Sequence, residues 1–285
     1  MSTTIAGIDL AALLAKVSLS FLVSLALAVF WLMIMVPTEA RMPNARPPSS
    51  ESAWFNVRYM FVVAALMTLL RPLLTGAALM WPSVLGGGWI TFTSSVRGWC
   101  CAFLAVLLMS DLLTYLFHRA QHAVPLLWRM HELHHSAECL DVTVGYRIFW
   151  IEPLIEMVFL YPLVGVVFKV PVTVGLAFAI VNELLNQWAH MNLRFSPGRF
   201  GLLIIHPQYH RLHHSRSERG YDKNFSGLLP LWDILFGTLY RPARDEFVEV
   251  GLDSVVAPHS LREALLWPWL RRNQTSAEPA PPATL

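Results

Sequence analysis

The sequence contains few charged residues and few cysteines. Asp, Glu, Lys and Arg make up 14% of its 285 residues, whereas soluble chains carry roughly 25%. The three cysteines, Cys100, Cys101 and Cys139, form no CxxC pair. That pattern argues against a disulfide scaffold and against a cysteine-based zinc or iron–sulfur site. The net charge of +2, without basic residues interleaved with aromatics, gives no indication of a nucleic-acid partner.

Histidine, in contrast, is concentrated in one interval of the chain. Ten of the 11 histidines lie between positions 118 and 214, and eight of these form three clusters. The clusters read HRAQH from His118, HELHH from His131 and HRLHH from His210. Uniform scattering would put about four histidines in that interval. Because imidazole is the commonest metal ligand in proteins, the clustering predicts a metal site.

The spacing of the clusters suits ligands on helices. Residues three or four apart share one helical face, so HxxxH and HxxHH can each direct their imidazoles into one cavity. A single zinc needs three or four ligands, and two ions with four or five nitrogens each account better for the number of histidines. The predicted ligands are His118, His122, His131, His134, His135, His190, His206, His210, His213 and His214.

Two alternatives remain open at this point. The segment from His131 to His135 also reads as HExxH, the zinc metalloprotease signature in which Glu132 would be the general base. That interpretation leaves seven histidines of the set without a role. A metal carrier without catalysis is the second alternative.

Apolar segments predict an all-α, integral membrane helical bundle of about four to six embedded helices. Residues 11–36 contain one charge, Lys16, and as a helix they would span roughly 39 Å. The first ten residues carry no Lys or Arg, which favours a spanning helix over a cleaved signal peptide. Further crossings are predicted near 56–70 and 98–117, with an additional embedded or surface segment near 73–90.

Two more apolar segments, 148–168 and 172–189, predict a helical hairpin that enters the bilayer and returns. Polar residues inside such segments are expected to face the protein interior. Asp111, Glu183 and Asn186 are therefore candidates for orienting a ligand imidazole, or for hydrogen bonds that join helices. The basic residues concentrate in the 37–58 connector and after position 118, which predicts that the histidine-rich cap is cytoplasmic.

The domain organisation predicted from these patterns has three parts. Residues 1–97 form an N-terminal membrane region, and residues 98–245 form the catalytic domain. From 191 onward the chain has the composition of a soluble protein. Residues 246–285 are predicted to hold an interfacial helix at 259–272 and a disordered, Pro-rich tail.

The order of the three clusters resembles that of the fatty acid hydroxylase/sterol desaturase superfamily. The stretch from Asp111 ending in FHRAQH is similar to the first histidine box of that superfamily, and PQYHRLHHS is similar to the third. HMNLRFSPGRF, which begins at His190, resembles an intermediate His-x-Asn segment, and NFSGLLPLWDILFGT resembles the stretch that follows the third box. The resemblance covers residues 110–242 and leaves the first 95 residues unmatched.

The resemblance implies a membrane-bound oxidoreductase with two non-haem irons that uses O2 and two electrons to hydroxylate or desaturate a lipid. Nine of the ten predicted ligands occupy its ligand positions; the tenth, His206, replaces a small polar residue and is either an added ligand or a hydrogen-bonding support. No flavin, haem or iron–sulfur motif is present. The expected partners are therefore a lipid substrate, membrane lipids and a separate electron-donor protein.

Overall fold

The computed structural model describes residues 4–5, 8–45, 48–253 and 255–271, and these are mostly helical. A two-residue hairpin pairs β1 (Thr4–Ile5) with β2 (Ile8–Asp9). The helices are α1 (Leu10–Arg41), α2 (Ser50–Leu85), α3 (Val96–Ala123), α4 (Pro125–His135), α5 (Glu152–Ile155), α6 (Tyr161–Val167), α7 (Val172–His190), α8 (Pro207–His213), α9 (Leu231–Phe236), α10 (Leu261–Leu265) and α11 (Trp267–Leu270). The predicted disordered tail lies outside the described residues.

Three helices are long and apolar enough to cross a membrane, within the ranges that the structure describes. They are the Phe21–Arg41 part of α1, the whole of α2 and the whole of α3. Each exposes a row of large apolar side chains on its outer surface, such as Met33, Leu73 and Leu104. The predicted all-α fold class, with a helical bundle and a histidine-rich region, is confirmed.

Helix α2 is continuous where the sequence predicted a break. Arg71-Pro72 was expected to end a crossing at about residue 70, and a separate segment was expected near 73–90. The structure instead has one helix from Ser50 to Leu85, with Pro72 and Pro82 inside it. Proline removes one backbone donor from the helix, and apolar helices of membrane proteins tolerate this because neighbouring side chains and helices compensate.

A helical hairpin is present at 152–190, where the sequence predicted arms at 148–168 and 172–189. Its entry into the bilayer stays a prediction, because neither arm is among the described helices that are long and apolar enough to cross a membrane. Helix α5 continues through one π-helical turn, Glu156–Leu160, into α6, and α7 returns antiparallel after Pro171. Val164 and Val174 are buried together with Ala102 and Val106 of α3. This packing brings the C-terminal end of α7, with His190, towards the histidines at the end of α3.

The short C-terminal helices pack on the main body. Ala264 of α10 and Trp267 of α11 are buried in a cluster with Phe55, Leu133 and Phe149. The predicted single helix at 259–272 is therefore two short helices with one buried side. Contact of this region with the bilayer surface remains a prediction.

Candidate metal centre

Nine histidines converge at the ends of α3, α4, α7 and α8. Two groups could each hold a metal ion, as far as the described residues show. We call them the five-histidine group (His118, His122, His131, His135 and His213) and the four-histidine group (His134, His190, His210 and His214). Within each group the ligand nitrogens lie within 4.8 Å of one another. The rings of His135 and His214 stack at 4.3 Å between centroids, so the two groups are adjacent.

Helices α4 and α8 each contribute to both groups. On α4 the i, i+4 pair His131 and His135 enters the five-histidine group, and His134 enters the other. On α8 and the residue after it, the i, i+4 pair His210 and His214 enters the four-histidine group, and His213 enters the other. The two HxxHH sequences therefore divide their ligands in opposite ways.

The imidazoles are held in the neutral form that metals require. Burial lowers the pKa of His131 to about 3. Burial and repulsion from neighbouring imidazoles lower the pKa of His135 and His214 well below 6.5. Neutral rings at pH 7 offer lone pairs, and neutral nitrogen ligands suit iron, copper and zinc.

Hydrogen bonds at Nδ1 fix the orientation of three rings in the five-histidine group. The Nδ1–H of His118 donates to the Phe225 carbonyl at 2.8 Å, and that of His213 donates to the Lys223 carbonyl at 2.8 Å. The Nδ1–H of His131 donates to the Glu152 carboxylate at 3.0 Å. Such partners fix the tautomer and leave the Nε2 lone pair free for a metal.

Asp222 contacts the Nδ1 atom of a further ring of the five-histidine group. Its Oδ1 lies 3.4 Å from Nδ1 of His122. The backbone of Asp222 and Asn224 is left-handed, with φ of 54° and 59°, a conformation that Asn and Asp tolerate better than most residues. The segment between them carries the Lys223 carbonyl, so this unusual backbone presents an acceptor to His213.

In the four-histidine group the Nε2 atoms approach one another closely. Nε2 of His190 lies 3.1 Å from Nε2 of His134 and 2.9 Å from Nε2 of His210. Nε2 of His214 lies 3.1 Å from Nε2 of His210. The Nδ1–H of His190 donates to the Asn186 carbonyl at 2.7 Å, so its Nε2 carries a lone pair.

The donor set fits two metal ions. Nε2 of all five members of the five-histidine group is buried without a hydrogen-bond partner among the described residues. Buried, unpaired polar atoms are costly, and a cation would satisfy them together. In the four-histidine group, four converging Nε2 atoms would repel one another through their lone pairs unless protons or a cation lay between them.

Comparison with known proteins finds a family that is similar to the part of the chain containing these histidines. Residues 103–238, which contain all nine histidines, match the fatty acid hydroxylase family. This region, just under half of the chain, is similar to the fatty acid hydroxylase family. The resemblance that the sequence motifs indicated is therefore confirmed over these residues. No solved structure matches the chain significantly.

Curated proteins that are similar to this chain have names that refer to lipid chemistry. Alkylglycerol monooxygenase of Danio rerio is 32% identical over 174 residues, which are 60% of this chain and 37% of the relative. Ornithine lipid hydroxylase OlsE of Rhizobium tropici is 30% identical over 178 residues, 62% of this chain and 53% of the relative. A very-long-chain aldehyde decarbonylase of Oryza sativa subsp. indica is 32% identical over 50% of this chain and 24% of the relative. The chain therefore spans at most about half the length of these relatives.

One predicted ligand, His206, lies outside both groups. His206 precedes α8, and its Nδ1 accepts the backbone N–H of Tyr209 at 3.3 Å. This is the position and hydrogen bond of a helix N-cap. The structure does not bring His206 to the metal centre, because its ring faces Gly201 and the start of α8 instead.

None of the three polar candidates inside the apolar helices has a side-chain hydrogen bond to an imidazole among the described residues. Asp111 accepts the backbone N–H groups of Leu228 and Leu229 and the indole N–H of Trp232. Glu183 accepts a hydrogen bond from the Gln187 side chain at 3.0 Å. Asn186 supports His190, but through its backbone carbonyl.

The sequence interpretation missed Glu152, the buried carboxylate that supports His131. Glu152 also accepts a hydrogen bond from the side chain of Gln121 and one from the Phe149 N–H. A carboxylate at the start of an apolar segment was the available signal, and the same argument had already singled out Asp111. Glu152 was missed because it lies 21 residues from His131 and meets it only in the folded chain.

Glu132, the general base of the protease alternative, is directed away from the metal centre. Its Oε2 lies 3.4 Å from Nε of Arg271 and accepts the indole N–H of Trp267 at 3.2 Å. A metalloprotease needs that carboxylate beside the metal-bound water. The geometry does not favour the HExxH alternative.

Proposed function

We propose that the protein is a membrane-bound, two-iron oxygenase that uses O2 and two electrons to hydroxylate an unactivated C–H bond of a lipid. The observation that carries this proposal is the convergence of nine imidazoles into two adjacent groups. The match of residues 103–238 to the fatty acid hydroxylase family and the lipid-modifying relatives support it. Desaturation of the same kind of substrate is the variant reaction of this site.

Each group would hold one iron. The five-histidine group would bind through Nε2 atoms, since hydrogen bonds already occupy Nδ1 in His118, His131 and His213. The irons, when bound, would supply the O2 activation that no side chain provides. The role of the chain is to keep the ligand rings neutral and to orient them.

Aromatic side chains would exclude water from the centre. Phe225 is fully buried, and its ring lies 5.0 Å from that of His122 and 5.6 Å from that of His213. Trp128 lies 5.0 Å from His122 and 5.4 Å from His135. A dry, apolar wall protects a strong oxidant from side reactions and accommodates a hydrocarbon chain.

The substrate is proposed to be a lipid with an alkyl or acyl chain, such as a fatty acyl lipid. Alkylglycerol and ornithine lipid, which appear in the names of two relatives, both favour this class over a sterol. The chain would cross the membrane several times with the histidines on the cytoplasmic side. An external electron-donor protein would dock there and supply the two electrons.

Metal analysis and turnover of the anaerobically purified protein test the proposal. We expect two irons per chain and a hydroxylated lipid that forms only with O2 and a reductant. Comparative lipidomics of cells with and without the chain would identify the substrate. One zinc per chain, or reversible metal binding without turnover, would contradict the proposal.

Two variants separate the oxygenase from the protease. His134→Ala should abolish turnover, lowering it by more than about 100-fold, because it removes a ligand. Glu132→Gln should leave the iron content at two, because Glu132 contacts Trp267 and Arg271 rather than the histidines. Loss of activity only in Glu132→Gln would favour the protease.

A further inference from the structure

A region that was predicted to be soluble in character has an exposed apolar surface. Helix α9 exposes Ile234, Leu235 and Phe236, with Leu235 63% exposed. The turn at Gly198–Leu202 and the residues after it expose Phe200 and Leu203, with Leu203 67% exposed. The Ile205 N–H donates to the Leu228 carbonyl at 3.0 Å and joins the two stretches. We call residues 198–204 together with α9 the apolar lobe.

The contacts of the apolar lobe with α3 indicate how deep the lobe would lie in a membrane that α3 crosses. Arg97 and Arg119 bracket a stretch of α3 whose only charge is Asp111. The 22 helical steps from Arg97 to Arg119 correspond to about 33 Å of helix, close to the roughly 30 Å hydrocarbon thickness of a bilayer. Asp111 lies eight residues, or about 12 Å, inward from Arg119.

The residues on either side of α9 contact α3 at Asp111 and at Tyr115. Asp111 binds Leu228 at 2.8 Å and Leu229 at 3.0 Å, so this segment begins at the level of Asp111. The Thr238 hydroxyl contacts the Tyr115 hydroxyl at 2.9 Å, four residues nearer to Arg119. Helix α9 lies between these two contacts and therefore within the hydrocarbon range of α3.

The outer surface of α9 continues the exposed surface of α3. The ring of Phe236 stacks on that of Tyr115 at 5.2 Å, and Leu116 beside it is exposed. A bilayer that covers the exposed residues of α3 would therefore also cover Leu235 and Phe236. An apolar surface of this kind on a separate, water-exposed lobe would be a liability.

The backbone around α9 meets the requirement for embedding in lipid. Non-helical backbone can lie at membrane depth only where its polar groups are satisfied by protein. Asp111 satisfies the two N–H groups at 228 and 229, and Asp233 accepts the N–H groups of Phe225 and Ser226. Asp233 also accepts the hydroxyl groups of Thr238 and Tyr209.

Basic residues lie at the edge of the apolar lobe. Arg199, Arg241 and Arg244 are exposed, and the last two line a cavity of about 490 Å³ together with Gly198 and Leu202 of the lobe. Tyr240, which precedes Arg241, exchanges hydrogen bonds with Asn224. Asp222, two residues from Asn224, contacts His122 at the end of α3, so Arg241 is on the Arg119 side of Thr238. Arginines at this level beside apolar side chains match the phosphate layer of a bilayer.

We propose that the apolar lobe is a re-entrant element embedded in the bilayer, with Arg199, Arg241 and Arg244 at the level of the lipid phosphates. Its partner is the phospholipid bilayer itself. The proposal does not depend on the identity of the metals or on the reaction.

Depth-sensitive labelling of the full chain in phospholipid vesicles tests this proposal. In a background with Cys100, Cys101 and Cys139 changed to Ser, single cysteines at Leu235 and, separately, at Leu203 would carry a bimane fluorophore. Ser217→Cys, at an exposed position on the histidine-rich cap, is the matched control. We expect nitroxide-labelled acyl chains to quench the labels at 235 and 203 at least about threefold more than the label at 217, because hydrocarbon covers them. Iodide in the buffer should show the reverse order.

Two results would overturn the proposal. The first is equal quenching by lipid and by iodide at 235, 203 and 217, which would place the lobe in water. The second is protection from iodide without quenching by lipid, accompanied by disulfide cross-links between chains at 235. That outcome would assign the surface to a second copy of the chain. Labels at 235 and 203 report independently, so either one decides the question if the other variant does not fold.

Discussion

The five-histidine and four-histidine groups differ in how many of their rings have a hydrogen-bond acceptor at Nδ1. In the first, Nδ1 of His118, His131 and His213 has a hydrogen-bond acceptor at 2.8–3.0 Å. In the second, only His190 has one, and Nδ1 of the other three is buried without a partner in the described ranges. The first group is therefore preorganised by the fold, whereas the second depends more on the ion to define its geometry. We expect the five-histidine group to hold its ion more tightly.

The largest effects should come from two ligands that are three residues apart on α8. His213→Ala removes a ligand from the five-histidine group, and His210→Ala removes one from the four-histidine group. Each should lower turnover by more than about 100-fold and reduce iron from two to about one per chain. The remaining iron should resist a chelator longer in His210→Ala than in His213→Ala, because His210→Ala leaves the five-histidine group intact.

His206→Ala is the matched control for these two variants. It removes an N-cap of the same helix, which costs about 1 kcal/mol of stability, and it should retain two irons. Equal chelator resistance of the iron left in His210→Ala and His213→Ala would contradict the difference between the groups.

An intermediate effect is expected from Glu152→Gln. The carboxylate contacts His131, and loss of such a partner typically lowers metal affinity about 10- to 100-fold. Chelator titration should show the loss for one of the two irons. Glu156→Gln, one turn further along, is the control, because Glu156 contacts the Tyr161 hydroxyl and no histidine. Weakening of both irons in Glu152→Gln would argue against separate groups.

A smaller effect is expected from Asp111→Asn. Asp111 holds Leu228, Leu229 and Trp232, and the same segment carries the carbonyls that orient His118 and His213. An amide cannot accept at both atoms, so the variant leaves a buried N–H group unpaired at a cost of about 1–3 kcal/mol. The Tm in detergent should fall, and chelator resistance should fall for the five-histidine iron alone. An unchanged Tm would show that these contacts do not stabilise the loop.

The smallest effect is expected from Asn186→Ala. The acceptor for His190 is the backbone carbonyl of Asn186, which alanine retains, so iron affinity should change by less than about twofold. Chelator titration of the four-histidine iron measures this. A larger loss would show that the amide side chain supports the ring after all.

The sequence predicted well which histidines come together, because their residue type and spacing carry the signal. Nine of the ten predicted histidines come together, and their chemistry requires imidazole. The division of each HxxHH between two groups was not predictable, since positions i+3 and i+4 lie on the same side of a helix. Which of them enters which group depends on how α4 and α8 face each other.

The supports of the imidazoles were harder to predict. Three of them are backbone carbonyls, at Asn186, Lys223 and Phe225, which any residue type would provide. His206 resembled a ligand by type, but its position before Pro207 makes it a helix cap. The continuity of α2 was missed because Pro72 normally ends helices in water, and the bilayer environment changes that preference.

Helices α4 and α8 each carry histidines of both groups, and this arrangement affects when metal could enter the protein. Neither group is complete until both helices have docked, because α8 and the residue after it supply His213 to one group and His210 and His214 to the other. A nascent chain that ended before α8 would therefore lack a full ligand set for either ion. Metal would enter late, once synthesis had passed α8 and the two helices had met.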